Sequence, residues 1–171
     1  GSIMPEPFVM PPMRKVPAIV HDGKAVTECA AICLYLADAF PQADLAPRLE
    51  QRADYYRWML FAAGPWEAAS TNRSLGVSVP EAQSGMVGYG DFDRTLAVLL
   101  SAVPEEGYLL GPKFTALDVY MGAQIGWGSQ FGSIPGSPRI DAYLKRIQSR
   151  RAYVRASEID NAAVAEYGPG G

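Results

Sequence analysis

The stretch Val16-Pro17-Ala18-Ile19-Val20-His21-Asp22-Gly23-Lys24-Ala25-Val26-Thr27-Glu28-Cys29-Ala30-Ala31-Ile32-Cys33-Leu34-Tyr35-Leu36-Ala37-Asp38 decides the fold. Its first five residues are apolar and largely β-branched, which predicts a short strand. Asp22-Gly23 is the chemistry of a two-residue hairpin turn, where both central residues need positive φ, and Ala25-Val26 begins the returning strand. Pro17 lacks the N–H that a central strand must donate, so its strand keeps one side free, and that side is open to a ligand. From Thr27, placed as N-cap, a run rich in Ala and Leu predicts a helix that Phe40-Pro41 closes.

Working outward, residues 41–47 shift to Pro, Ala, Asp and Gln and read as a linker. Everything beyond is helical in pattern. A long helix is expected from about Arg48 toward Ala69, with Tyr56, Leu60 and Ala63 on one face and Gly64-Pro65 kinking or breaking it. Residues 70–90, rich in Gly, Ser and Pro, read as a loop. Phe92, Leu96, Leu99 and Val103 recur at helical spacing. Thr115-Ala116-Leu117-Asp118 has the form of a capping box opening a helix through Tyr120, Met121 and Ile125. Ser137-Pro138 pairs an N-cap with an N1 proline ahead of Ile140, Tyr143, Leu144 and Ile147. The tail from Tyr167 reads as loose. A hairpin with one helix cannot make a stable sheet domain alone. Either the helical part covers the missing edge, or residues are absent from this chain.

The bulk properties exclude several classes. With 171 residues, 49% of them hydrophobic and 19% charged, the chain can build a core. A net charge of -3 gives no electrostatic reason to expect nucleic acid or an anionic membrane as partner. Arg146, Arg150, Arg151 and Arg155 form a local basic run, read as a solvated helix face. The longest apolar stretch, Cys29 to Ala37, is far short of the roughly 20 residues of a membrane span. No signal peptide opens the sequence, and Cys29 and Cys33 make no disulfide framework. The expected localisation is therefore cytoplasmic. His21, beside the turn, is expected to be exposed. It has no clustered partner ligands, so no metal site is expected. No glycine-rich phosphate loop is present; Gly126, Gly128, Gly132 and Gly136 suit close helix packing and a loop.

The segment from Pro12 through Val20, the Asp22-Gly23 turn and the run Thr27 to Asp38 resemble the second half of the thioredoxin-like domain of a cytosolic glutathione S-transferase. Leu110-Gly111, Phe114-Thr115 with Asp118, and Gly126-Trp127-Gly128 resemble the loop and central helix of the family's bacterial branch. The resemblance covers nearly the whole chain. It implies a partial α/β thioredoxin-like, glutathione-binding domain over residues 1–41, followed by an all-α C-terminal domain over residues 48–166.

Each implied role has a chemical rationale. The proline at the Pro17 position is cis in the family, which turns the Val16 backbone toward the cysteinyl part of glutathione as if adding a strand. An acid at the Glu28 position binds the γ-glutamyl ammonium. Cys29 follows at a helix N-terminus, where free N–H groups favour the γ-glutamyl carboxylate. Lys15 is near enough to reach the glycyl carboxylate. Tyr55, Trp58, Met59 and Trp127 fall on helices that line the family's hydrophobic substrate pocket; aromatic side chains at helical spacing also suit a core. Glutathione enters as co-substrate, a hydrophobic small molecule as the second substrate, and a homodimer is implied.

Three departures from the family pattern stand out. Cys29 replaces a hydroxyl residue, and a thiol donates only weakly. Arg14 stands where glycine is common. The strand–helix–strand unit that supplies the family's catalytic Ser, Tyr or Cys is not found, so the catalytic residue is expected to be absent from this chain. Gly1-Ser2-Ile3-Met4-Pro5-Glu6-Pro7 resembles the segment just after that unit. The functional readings are a glutathione transferase, conjugating if the first segment is present in the full polypeptide, or a truncated, non-catalytic binding or structural module. A third reading makes Cys29 a thiol-exchange nucleophile, activated by the helix N-terminus. Cys33, one turn on, reads as a small buried hydrophobe.

Overall fold

The computed structural model describes residues 13–167. The opening segment Gly1 to Pro7 and the tail beyond Tyr167 lie outside the described residues, and Tyr167 itself, read as the start of that tail, is helical. Strands β1 (Ala18–His21) and β2 (Lys24–Thr27) pair antiparallel, with Ala18 opposite Thr27 and His21 opposite Lys24. Asp22 and Gly23 take φ of 49° and 73°, the left-handed pair that a two-residue turn requires. The ladder starts at Ala18, two residues later than the apolar run, because Pro17 has no N–H to contribute.

Helix α1 (Cys29–Ala39) does not begin on Thr27. Thr27 is held in the ladder, and Glu28 takes the N-cap place with φ 68° and ψ 117°. Glu28 makes no side-chain cap; its carbonyl accepts from the Ile32 N–H at 2.8 Å. His21 is half-buried rather than exposed, paired at 2.8 Å with the Tyr35 hydroxyl and packed on the Phe40 ring.

Two short 3-10 turns, Pro41–Ala43 and Leu49–Gln51, carry the linker. Helix α2 (Ala53–Phe61) then runs through one wide turn, Ala62–Trp66, into α3 (Glu67–Ser74). The break expected at Gly64-Pro65 is therefore a widening. Pro65 has no N–H to offer and its ring would strike the carbonyl of a regular turn, so the loosened turn absorbs it. Helical structure also reaches Ser74, five residues past the expected end. The buried face is Tyr55, Met59, Ala62, Trp66 and Ala69, whereas Tyr56 and Leu60 are exposed. The face read from the sequence was thus one residue out of phase.

After a loop and a 3-10 segment, Glu81–Met86, come α4 (Phe92–Ala102), α5 (Ala116–Phe131), α6 (Pro138–Gln148) and α7 (Arg151–Tyr167). Three starts follow their caps. The Asp91 carboxylate accepts from the Arg94 N–H, Thr115 and Asp118 complete a capping box, and Ser137 Oγ accepts from the Ile140 N–H. Helix α5 is the central strut, packing against α1, α2 and α6. Asp118 lies wholly buried on it and accepts from the N–H groups of Leu109 and Thr115, from Thr115 Oγ1 and from the Tyr143 hydroxyl. At Gly128 an added Cβ would lie 2.5 Å from the Ile134 side chain, so only glycine lets the chain fold back there.

The basic run divides. Arg146 donates to the carbonyls of Gly107 and Glu105, and the Arg150 guanidinium lies 3.4 Å above the Phe114 ring. Only Arg151 and Arg155 form the solvated face. No described helix is long and apolar enough to cross a membrane.

Candidate functional site

The N-terminus of α1 stands at the junction of two clefts. The first, about 630 Å³, is lined by Lys15, Val16, Pro17, Glu28 and Cys29 from the hairpin side, and by Ala63, Glu67 and Tyr120 from the helical body. All five residues given a glutathione-binding role in the sequence are thus brought to one place. The Val16-Pro17 peptide is cis. Val16 is 93% exposed and lies ahead of the β1 ladder, so its main chain is free to pair with an extended peptide. Because Glu28 provides no side-chain cap, the first N–H groups of α1 remain open to an anion. Arg14 takes φ 51°, a left-handed conformation that explains why glycine suits this position.

The second cleft, about 520 Å³, shares Cys29, Glu67 and Tyr120 with the first and continues along Trp66, Leu75, Trp127 and Phe131. Of the four residues expected in a hydrophobic pocket, Trp127 alone lines it. Tyr55 and Met59 are buried in the core, and Trp58 packs edge-on against Phe61 beneath Arg57. The cause is the same one-residue phase: the face of α2 that carries Tyr55 and Met59 points into the body.

Glu67, Tyr120 and Trp66 escaped the sequence reading. No local motif marks them. They reach the site because the wide turn before α3 and the α1–α5 packing bring distant segments over Cys29.

The electrostatics are mixed. The Lys15 ammonium and the Glu28 and Glu67 carboxylates line the same cleft, a pattern that suits a zwitterionic peptide. The Cys29 thiol is pushed up from its ordinary value chiefly by burial; the Cys33 S–H opposes this and the nearby Glu67 charge adds to it. Burial likewise pushes Cys33 and Tyr120 up to about 12. At neutral pH all three are protonated donors. Partial burial and the Glu67 charge thus work against the activated thiolate that a helix N-terminus would favour at Cys29. No group of three metal-ligating side chains occurs among the described residues.

Comparison with known proteins follows the same outline. Residues 7–44 match the family model described as glutathione S-transferase, N-terminal domain. Glutathione S-transferase GstA of Escherichia coli O157:H7 is 26% identical over 147 residues, which span 84% of this chain and 72% of that protein. Among solved structures, a glutathione transferase from Methylococcus capsulatus superposes with a TM-score of 0.70 at 28% identity, covering 90% of this chain and 77% of its own. A sphingomonad glutathione S-transferase complexed with glutathione gives 0.67 at 26% identity, covering 88% and 76%.

Proposed function

The chain belongs to the bacterial glutathione S-transferase family, and on that premise we propose that it binds glutathione in the cleft at Val16-Pro17 and the start of α1. The observation that carries this reading is convergence: Lys15, Val16, Pro17, Glu28 and Cys29 come from a loop, a turn and a helix start, yet line one cleft. The Val16 backbone pairs with the cysteinyl unit. The Glu28 carboxylate holds the γ-glutamyl ammonium, the open N–H groups at Cys29 hold its carboxylate, and Lys15 meets the glycyl carboxylate. Glutathione lying this way directs its sulfur toward the adjoining apolar cleft, where Trp66, Trp127 and Phe131 accept a hydrophobic electrophile. The activity proposed is conjugation of the glutathione thiol to that electrophile, in a homodimer with its domains divided near residues 41–48.

Conjugation needs a group that stabilises the glutathione thiolate, and no described residue is assigned that task. A second reading, a glutathione-binding module without turnover, follows from that observation. Calorimetric titration with glutathione, beside a conjugation assay using 1-chloro-2,4-dinitrobenzene, separates the two. Binding with turnover supports the transferase, and binding without turnover supports the module. Failure to bind overturns both. Glu28→Gln is expected to weaken glutathione by about 10- to 100-fold, the weight of one charge-assisted contact.

A further inference from the structure

We propose that Cys29 and Cys33 together form a two-sulfur chelate for monosubstituted trivalent arsenicals, whose organic substituent occupies the apolar cleft beside Trp66 and Trp127. The proposal concerns a different chemistry from glutathione binding and does not depend on it.

The two cysteines lie four residues apart on α1, so they are stacked on one face with Cβ atoms about 5–6 Å apart. Cys29 is exposed and lines both clefts, while Cys33 stands behind it, half-buried against the core. A direct disulfide fits this spacing poorly, because its Cβ atoms must approach to about 3.5–4.5 Å. An atom inserted between the sulfurs bridges the gap without unwinding the first turn.

The number of ligands selects the atom. Zinc takes four ligands, and no third metal-ligating side chain joins this pair among the described residues. Sulfur pairs favour soft acceptors. A monosubstituted trivalent arsenical has two valences to fill, matching two thiols, and carries its third substituent away from the helix. That substituent meets Trp66, Leu75, Trp127 and Phe131. Two S–H bonds and the arsenic–oxygen bonds of R–As=O are exchanged for two As–S bonds, and one water leaves carrying both protons. Arsenic and sulfur keep their oxidation states.

The test uses phenylarsine oxide with the whole chain, followed by intact-mass measurement after a challenge with excess glutathione as monothiol. The wild type is expected to retain one phenylarsenic group per chain and to release it to a small dithiol. Cys29→Ser and Cys33→Ser each leave one As–S bond and are expected to hold the group about 100-fold less firmly, by loss of the chelate's effective concentration. Cys33→Ala, which keeps a small side chain against the core, gives the same result should Cys33→Ser fail to fold. Equal lability of the wild-type and single-variant adducts, or firm retention by any single variant, overturns the proposal. Glu28→Gln, expected to bind glutathione more weakly, is expected to capture phenylarsine oxide as the wild type does, so the two readings fail separately.

Discussion

Glu28 holds φ 68° and ψ 117°, a region that costs a residue with a Cβ about 1–3 kcal/mol. The conformation is forced from both sides: Thr27 must stay opposite Ala18, and Cys29 must enter α1. Glycine would relieve the strain but remove the carboxylate. Glu28→Gly is therefore expected to leave stability unchanged or raise it by up to about 1 kcal/mol, while abolishing glutathione binding. Urea unfolding and calorimetry on one sample measure both, and a clear loss of stability would show that Glu28 serves the fold instead. Asp118 is the opposite case, a buried carboxylate serving the fold. Asp118→Ala strands the N–H groups of Leu109 and Thr115 and the Tyr143 hydroxyl, with an expected loss of about 3 kcal/mol or more. Burial raises the Asp118 carboxyl above its ordinary 3.8, although its four donors pull the other way. A raised acid binds its proton more tightly folded than unfolded. Its contribution is therefore full below the ordinary value and declines as pH rises through the raised one. The stability difference between wild type and Asp118→Asn should accordingly shrink as pH rises across the acid range. A difference that grows would mean that the donors outweigh burial.

At the scale of elements, α2 and α3 test which face is inside. Met59 is fully buried and Leu60 is 65% exposed, so Met59→Ala is expected to cost about 2–5 kcal/mol. Leu60→Ala should stay within about 0.5 kcal/mol at concentrations where the chain is monomeric. Denaturant midpoints of the two variants decide it, and equal costs would restore the face read from the sequence. That face was hard to read because the helix carries apolar residues on both sides, Tyr55 with Met59 and Tyr56 with Leu60, and periodicity alone cannot choose between adjacent stripes. Features set by short-range chemistry were legible: the Asp22-Gly23 turn, the Thr115–Asp118 box and the Ser137-Pro138 start. Features set by long-range packing were not. Thr27 looks like an N-cap until the strand partner that holds it is known. Pro65 looks like a stop until tertiary contacts carry the helix past it. Helix α7 buries none of its described residues and leaves Tyr153, Val154, Ile159 and Val164 exposed, so no core contact marks where it starts. In the site, the residues near the hairpin were singled out by the resemblance their order carries, whereas Glu67 and Tyr120 become neighbours of Cys29 only through the fold.

For the whole molecule, the consequence is coupling between the hairpin side and the helical body. A two-stranded hairpin is marginal alone, and here it is held through α1, whose Ala30 and Ala37 pack into the core around α5. The first cleft spans that junction, with Val16 and Glu28 on one side and Glu67 and Tyr120 on the other. A ligand touching both sides stabilises the folded chain by RT ln(1 + [L]/Kd), about 2.7 kcal/mol at a hundredfold excess over Kd. Without ligand, the amides of β1 and β2 should exchange fast, since their opening breaks little apolar packing. Saturating glutathione should slow exchange in β1, β2 and the first turn of α1 most, with a smaller slowing at the start of α3 and the middle of α5. Exchange measured by mass spectrometry at both conditions checks this, with Glu28→Gln as the control that should need about 10- to 100-fold more glutathione for the same slowing. Protection confined to the hairpin would mean that glutathione touches only one wall, and that the helical body adds nothing to its binding. Protection reaching α3 and α5 would mean that ligand and packing hold the same junction closed, so that changes in the α1–α5 interface weaken glutathione without touching it.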